Sequence, residues 1–255
     1  MSLSANPQNA AAKPTTIHLT LQGKGGVGKS LVASILAQYL RSGGRKVHCV
    51  DTDPVNRTLA QYSALSAERI NLRDEHNRID QRCFDHLMEK FLNDSGTTFV
   101  VDSGASTFLP LWHYLLENSA FEFLHSTGRR VFVHTVITGG QALMDTLNGF
   151  RELADSARDQ NLVVWINEFF GRVEAEGKTF QEMAAYRDSA DKVHGAVVIL
   201  KRNQDTFGRD MEEMISRKLT FEEAIAAPEF HVMAKQRLKL VQRDLFDQLD
   251  RIFPA

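Results

Sequence analysis

The eight residues from Gly23 to Ser30 read Gly-Lys-Gly-Gly-Val-Gly-Lys-Ser, which is the spacing G-x-x-x-x-G-K-[ST] of a phosphate-binding loop. They stand between an apolar run, residues 17–21, that predicts a strand and a segment, residues 31–42, that predicts a helix. Glycines let consecutive backbone N–H groups turn toward phosphate oxygens, and the start of a helix favours negative charge. A glycine-rich turn without a ligand is the alternative, but the flanking elements favour a nucleotide site.

The side chains of this loop predict individual roles. Lys29 is expected to reach the β- and γ-phosphates of ATP, and Ser30 is expected to ligate Mg²⁺. The predicted nucleotide-binding residues of the loop are Gly23, Lys24, Gly25, Gly26, Val27, Gly28, Lys29, Ser30 and Leu31. ATP and Mg²⁺ are therefore the predicted cofactors.

Two further apolar runs end in carboxylates. Residues 98–101 lead into Asp102, which predicts a second contact with Mg²⁺, and Gly104 predicts a loop that can approach the γ-phosphate. An earlier run leads into Asp51 and Asp53. Two acids at this spacing beyond a buried strand are costly unless a cation or hydrogen bonds await them, although Asp-Pro also favours a plain turn.

Short β-rich runs alternate with helix-length segments along the chain. The predicted strands are residues 17–21, 46–50, 98–101, 130–137, 162–166 and 196–200. The predicted helices are residues 31–42, 81–93, 109–126, 141–158, 180–190, 209–217, 221–226 and 231–252. Because the strands are apolar nearly throughout, we expect an α/β fold with a mostly parallel sheet covered by helices on both faces. The polar, unpatterned stretch 64–80 is predicted to be a mobile loop.

The composition is that of an ordinary globular chain. Its 255 residues, 43% of them hydrophobic and 24% charged with a net charge of −2, predict one domain over residues 17–255 and exclude a polycation. Residues 1–16 predict a disordered tail rather than a signal peptide. Cys49 and Cys83 form no C-x-x-C pair, which argues against zinc and favours a reducing, cytoplasmic location. The sequence has no run of eighteen apolar residues, so no membrane span is predicted.

The last predicted helix has two contrasting faces. Lys235, Lys239 and Arg243 recur every four residues and form a basic stripe. The opposite, apolar stripe consists of Leu238, Val241, Leu245, Leu249 and Ile252. A helix docked through its apolar stripe explains both faces, with nonspecific DNA binding through the basic stripe or adsorption to a membrane surface as alternatives.

The second lysine of the loop, Lys24, is not required by an ordinary phosphate-binding loop. Lys-Gly-Gly-x-Gly-Lys-[ST] resembles the deviant Walker A motif of the ParA/MinD class of ATPases. Within that class, about residues 17–250 are similar to the TraL and StbB proteins of conjugative plasmids. The segments with this similarity read LQGKGGVGKS (21–30), DTDPVN (51–56), DSGAS (102–106), HTVITGGQAL (134–143) and GRD (208–210).

This resemblance implies a set of residue roles. It implies that Lys24 crosses to the phosphates of a partner subunit in an ATP-dependent homodimer and that Asp53 orients the attacking water. Asp51 would lie in the outer shell of the metal and Asn56 near the γ-phosphate. Asn167, at a strand end, would hydrogen-bond adenine, with a simple capping role as the alternative. The predicted catalytic residues are Lys24, Lys29 and Asp53, and the predicted metal ligands are Ser30, Asp51 and Asp102.

The resemblance also implies partners among plasmid transfer or stability proteins. Residues 199–202 read Ile-Leu-Lys-Arg where many relatives have Ile-Pro, so the base contacts of that loop are not predicted. Two other functions remain open: a small-molecule kinase or ligase on the same scaffold, and a nucleotide sensor with negligible hydrolysis. An iron–sulfur reductase of the nitrogenase type is excluded, because residues 103–137 contain no cysteine.

Overall fold

Nine strands form in the computed structural model, which describes residues 14–76, 78–157 and 161–254. They are β1 (Thr16–Thr20), β2 (Val47–Asp51), β3 (Glu68–Arg69), β4 (Thr98–Asp102), β5 (Arg130–Thr138), β6 (Asn161–Asn167), β7 (Glu174–Ala175), β8 (Lys178–Thr179) and β9 (Val193–Ile199). Seven of them make one parallel sheet in the order β3-β2-β4-β1-β5-β6-β9, and β7 pairs with β8 in an antiparallel hairpin. The predicted fold class is confirmed.

Helices cover both faces of this sheet. They are α1 (Lys29–Ser42), α2 (Cys83–Asn93), α3 (Phe108–Glu117), α4 (Ala120–Ser126), α5 (Leu143–Ser156), α6 (Ala184–Arg187), α7 (Arg209–Ser216), α8 (Phe221–Ala226) and α9 (Val232–Ile252). One apolar core joins the sheet to α2–α6, and a second joins the other face to α1 and α7–α9. Because successive strand residues point to opposite faces, each central strand contributes to both cores.

The helix predictions failed at two places. The predicted helix 109–126 is two helices, because Ser119 takes a left-handed backbone conformation (φ 47°) between α3 and α4. The predicted helix 180–190 is wrong: a capping box between Thr179 and Glu182 starts a single 3₁₀ turn, and the extended Met183 ends it. Only the four residues of α6 are α-helical there. The predicted helix 141–158 corresponds to α5, and its last residue lies outside the described residues.

The stretch 64–80, predicted to be a mobile loop, packs against the rest of the fold. Leu65 and Leu72 are fully buried, β3 pairs with β2 at the sheet edge, and Arg73 and Ile79 form an antiparallel bridge. Its apolar residues are too sparse to show the period of a helix or a strand, so hydrophobic periodicity did not identify them as buried.

The first strand begins within the predicted tail. Thr16 is buried as the first residue of β1, and its Oγ1 lies 3.0 Å from Oγ1 of Thr98 on the neighbouring strand. The ordered domain therefore begins before residue 17. Residues 1–13 lie outside the described residues, so the tail itself stays a prediction.

The long helix α9 packs on the sheet through its apolar stripe. Leu238, Leu245 and Leu249 are fully buried, as the docked-helix interpretation predicts. Near its end, the Gln248 side chain accepts a hydrogen bond from the backbone N–H of Val198 in β9 (2.7 Å) and donates one to the carbonyl of the same residue (3.0 Å). Among the described residues, no helix is both long and apolar enough to cross a membrane.

Candidate nucleotide-binding site

The predicted phosphate-binding loop joins β1 to α1 at the carboxyl edge of the sheet. The helix begins at Lys29, two residues earlier than predicted, so the backbone N–H groups of its first turn face the loop. Gly28 has φ 106°, in the left-handed region, and a Cβ there would lie 2.9 Å from Nδ2 of Asn167. A glycine is therefore required at this position for both its backbone conformation and its close approach.

Lys29 lies buried inside the loop. Its ammonium donates a hydrogen bond to the backbone carbonyl of Lys24 (2.9 Å). Burial lowers the pKa of Lys29, and the nearby carboxylates of Asp102 and Asp53 oppose that shift. The lysine thus lies in the field of two acids.

Asp102, the last residue of β4, has a carboxyl group that is incompletely hydrogen-bonded. The residue is fully buried, and its Oδ1 accepts a hydrogen bond from Oγ1 of Thr20 (3.2 Å). Its Oδ2 is buried and has no hydrogen-bond partner among the described residues. Burial raises the pKa of Asp102 to about 7; the Ser30 hydroxyl and Lys29 oppose the rise, and Asp51 adds to it. A buried carboxylate oxygen beside a hydroxyl fits Mg²⁺, which prefers oxygen ligands and keeps several waters.

Asp51 occupies the equivalent position in β2 but is hydrogen-bonded on both oxygens. Oδ1 accepts from the N–H of Asp53 (3.0 Å), and Oδ2 accepts from the N–H of Ala60 (2.9 Å). Burial is the largest cause of the raised pKa of Asp51. The carboxylate therefore holds the segment after β2 in place, and any role toward a metal would have to operate through water.

Asp53 lies in that segment and organises a tight turn. Its Oδ1 accepts hydrogen bonds from the N–H groups of Val55 (2.8 Å) and Asn56 (3.2 Å), and its Oδ2 accepts one from the side chain of Asn56 (3.2 Å). Gly104 packs against it, since a Cβ at Gly104 would lie 2.8 Å from Oδ1 of Asp53. The structure therefore brings the loops after β2 and β4 into contact.

Asn167 ends β6 beside the phosphate-binding loop. Its Nδ2 donates to the carbonyl of Val27 (3.0 Å), and its Oδ1 accepts from the N–H of Phe169 (3.1 Å). It also lines an apolar cavity of about 420 Å³. A cavity of this size next to a phosphate site is suited to a nucleotide base. The predicted contact with adenine is compatible with this position, and the observed bonds show that Asn167 also supports the loop.

The loop after β9 forms the far wall of this cavity, and sequence analysis did not predict its residues. Arg202 is ion-paired with Asp244 of α9 (2.8 Å) and lies over the ring of Phe207, 5.2 Å from its centroid. Residues 204–208 form a π-helical turn, a feature that often occurs at functional sites. No motif in the sequence indicates this arrangement.

Lys24 is ion-paired within its own chain. Its ammonium lies 2.7 Å from Oδ2 of Asp145 in the first turn of α5, and both side chains are about half exposed (45% and 53%). Exposed pairs of this kind contribute roughly 0–1 kcal/mol. Asp145 was not among the predicted site residues, although it follows the segment 134–143 that was singled out.

The loop is anchored at its start by Gln22, which the sequence analysis also missed. Its Nε2 donates to the carbonyls of Val136 (3.0 Å) and Thr146 (3.1 Å), and its Oε1 accepts from the N–H of Gly23 (2.8 Å). A Cβ at Gly149, inside α5, would lie 2.1 Å from that oxygen. The glycine within a predicted helix was the available signal for such a close approach.

Comparisons with known proteins agree with this site. Residues 19–227, most of the chain, match the CobQ/CobB/MinD/ParA nucleotide binding domain. The chain belongs to this family. It is 44% identical to two TraL proteins of Escherichia coli over 92% of its own length and 97% of theirs.

The fold is similar to that of solved MinD proteins. The septum site-determining protein MinD of Pyrococcus horikoshii OT3, solved in complex with Mg-ADP, matches 94% of this chain and 100% of its own with a TM-score of 0.52 at 17% identity. The MinC:MinD cell division complex of Aquifex aeolicus matches 91% of this chain and 96% of its own with a TM-score of 0.50 at 15% identity. At these identities the similarity concerns the fold.

Proposed function

We propose that this protein is an ATP-binding and ATP-hydrolysing molecular switch that dimerises around its nucleotide and acts in plasmid transfer or stability. The observation that supports this proposal best is Oδ2 of Asp102, which is buried beside the Ser30 hydroxyl and the Lys29 ammonium and has no hydrogen-bond partner among the described residues. A buried carboxylate oxygen of this kind is unfavourable unless a cation completes its environment. Mg²⁺ bound to a nucleotide is the cation that this set of groups fits.

The loop residues then divide the chemistry among themselves. Lys29 and the loop N–H groups would bind the β- and γ-phosphates, and Ser30 with Asp102 would hold Mg²⁺, whose chemistry when bound would be to neutralise charge on the phosphates. Asp53 orients the attacking water. Gly104, which has no side chain, lets the loop after β4 lie against the loop after β2. The base lies in the cavity beside Asn167.

A second subunit is expected to cover the same edge of the sheet. Large apolar side chains are exposed around the loop, namely Val55, Leu109, Met144 and Phe170. Lys24 has only a weak surface ion pair to give up, whereas a charge-assisted contact with a partner's phosphates is worth roughly 1.5–3 kcal/mol. Exchanging the intrachain ion pair for the contact with a partner's phosphates would therefore favour an ATP-dependent dimer.

The plasmid role rests on the TraL relatives, which align over nearly their whole length. We propose partners among plasmid transfer or stability proteins in the cytoplasm. In α9, Lys239 and Arg243 are exposed and Lys235 is half-buried, so a basic stripe is available to DNA in the assembled dimer.

Nucleotide binding and phosphate release test the ATPase. Calorimetry with ATP and Mg²⁺ should detect no binding to Lys29→Ala, because the main positive charge on the phosphates is lost. The matched exposed-lysine control Lys178→Ala should bind normally. Asp53→Ala should bind ATP within a few-fold of wild type and lose turnover by about 100-fold or more. Normal affinity in Lys29→Ala would refute the site, and wild type that binds ATP without releasing phosphate would indicate a nucleotide sensor.

Sedimentation with ADP or a nonhydrolysable ATP analogue tests the dimer. Lys24→Gln should bind ATP within a few-fold but weaken dimerisation by about 10- to 100-fold. Asp145→Asn should dimerise at least as well as wild type, because the ion pair no longer has to open. A Lys24→Gln protein that dimerises like wild type would refute the proposed contact. Adding plasmid DNA to the same samples tests the basic stripe, with Lys239→Gln/Arg243→Gln expected to lose any DNA binding.

A further inference from the structure

A second cavity, of about 510 Å³, lies at the opposite edge of the sheet from the nucleotide site. It opens at the amino ends of β1 and β5, between the end of α1 and the end of α9. Its basic and imidazole side chains are those of His18, Arg45, Arg130, His194 and Arg251. No carboxylate side chain lines it among the described residues.

Among the described residues, the arginines of this cavity have no acidic partner. Within the described chain, Arg45 and Arg130 form no ion pair, and Arg130 lies over the ring of Phe132, 5.2 Å from its centroid. Arg251 donates only to the backbone carbonyl of Asp247 (3.1 Å). Asp250, an acid of the same helix turn, accepts a hydrogen bond from Tyr39 (2.9 Å). The described part of the chain therefore places three arginines around this cavity and no acidic side chain in its lining.

A chain of buried rings leads into the cavity. The indole N–H of Trp165 can only donate, so Nδ1 of His134, 3.0 Å away, must accept. His134 then has its proton on Nε2, which donates to Nδ1 of His18 (2.9 Å). His18 in turn has its proton on Nε2, which has no partner among the described residues. His18 is 1% exposed and lines the cavity, so the chain of rings ends in an N–H donor at the cavity wall.

The walls of the cavity suit an organic ligand rather than a bare ion. Phe132 and Phe253 meet edge to face at 4.9 Å between centroids, and both line it. Its volume falls in the range of small-molecule sites. Arginine binds phosphate and carboxylate groups with paired N–H donors.

We propose that this cavity binds a small aromatic or otherwise flat oxyanion. Its phosphate or carboxylate group lies between Arg45 and Arg130, and the Nε2–H of His18 donates to it. Its flat part packs against the half-buried ring of Phe253, which lines the cavity. None of these side chains belongs to the nucleotide site, so the cavity is a separate ligand site of the same chain.

Calorimetry on the full chain tests this site with phenyl phosphate, benzoate and the neutral analogue benzyl alcohol. Phenyl phosphate or benzoate should bind at submillimolar concentration, benzyl alcohol should bind at least ten-fold more weakly, and the preferred anion identifies the headgroup. The variant Arg45→Gln/Arg130→Gln, which removes two solvent-accessible charges, should weaken anion binding at least ten-fold. The control Arg187→Gln, which removes an exposed arginine of α6, should not.

Two results would overturn the proposal. One is the absence of anion binding to wild type at millimolar concentration. The other is loss of binding in Lys29→Ala, which would place the anion in the phosphate-binding loop. Long-range ¹⁵N NMR of the histidines gives an independent readout, since anion binding should shift Nε2 of His18 and leave His113, an exposed histidine of α3, unchanged.

Discussion

The ends of β2 and β4 place two aspartates side by side, but the two carboxylates differ in their hydrogen bonding. Asp51 and Asp102 are register partners in adjacent parallel strands, and both are buried. Both oxygens of Asp51 accept backbone N–H groups, whereas one oxygen of Asp102 has no partner in the described chain. Burial raises the pKa of both carboxyls, and that of Asp102 reaches about 7.

This difference separates a carboxylate that shapes the backbone from one that is available to a cation. Asp51 fixes the path of the chain toward Asp53 and Ala60, so its charge is already used within the fold. Asp102 is destabilising as an anion despite the nearby Lys29 ammonium, and a bound divalent cation would offset that cost. The same substitution, Asp to Asn, should therefore have opposite effects at the two strand ends.

The largest effect is expected from Asp102→Asn. Without Mg²⁺ and nucleotide, it should raise the free energy of unfolding at pH 8 by up to about 4 kcal/mol, because a pKa displaced from 3.8 to about 7 represents about 1.4 kcal/mol per unit of unfavourable ionisation. Urea unfolding measures this change. The variant should also lose the Mg²⁺ dependence of ATP binding. A less stable Asp102→Asn protein would show that the carboxylate is satisfied within the fold.

The pH dependence of stability provides a second measure of Asp102. Its folded pKa lies above its unfolded value, so the folded protein holds a proton that the unfolded chain releases, and stability is lost as pH rises toward 7. Asp51 acts in the same direction. Between pH 5 and 7, we expect wild type to lose up to about 1.4 kcal/mol per pH unit relative to Asp102→Asn. A constant difference between the two proteins over this range would contradict the raised pKa.

Asp51→Asn should destabilise the fold by roughly 1–3 kcal/mol. The amide retains one acceptor oxygen and turns its NH₂ group toward a buried backbone N–H, which loses its hydrogen bond. Mg²⁺-dependent ATP affinity should change less than in Asp102→Asn. Urea unfolding and calorimetry on the two variants measure both quantities, and a Mg²⁺ defect in Asp51→Asn equal to that of Asp102→Asn would erase the distinction.

The smallest effect is expected from Gly104→Ala. A Cβ at this position would lie 2.8 Å from Oδ1 and 3.2 Å from Cα of Asp53, so the Asp53 side chain or the loop that carries it must shift. We expect ATP affinity near wild type and turnover reduced about ten-fold, since a small misplacement of a water-orienting group is costly. Gly43→Ala, whose Cβ would make ordinary contacts of 3.6 Å and longer, is the matched control. Unchanged phosphate release from Gly104→Ala would show that this contact does not limit the reaction.

Much of the fold and the site could be predicted because the relevant signals are local. The loop around Lys29 and the acids after two apolar strands follow from short patterns, and parallel strands bring their carboxyl ends together whatever lies between them. What could not be predicted depends on contacts distant in sequence. Asp145 and Lys24, which form an ion pair, are 121 positions apart in the sequence. The environments that distinguish Asp51 from Asp102 are created only when β2 and β4 pair.

The hydrogen bonds of Gln248 have a consequence for how copies of the protein can meet. The last strand of a sheet exposes unpaired backbone groups to which another chain can add a strand, and proteins avoid this by shielding the edge. The amide of Gln248 occupies both backbone groups of Val198 on β9, and the opposite edge, β3, is only two residues long. Growth of the sheet from chain to chain is thereby disfavoured at both edges, so copies of the protein are less able to associate by strand addition.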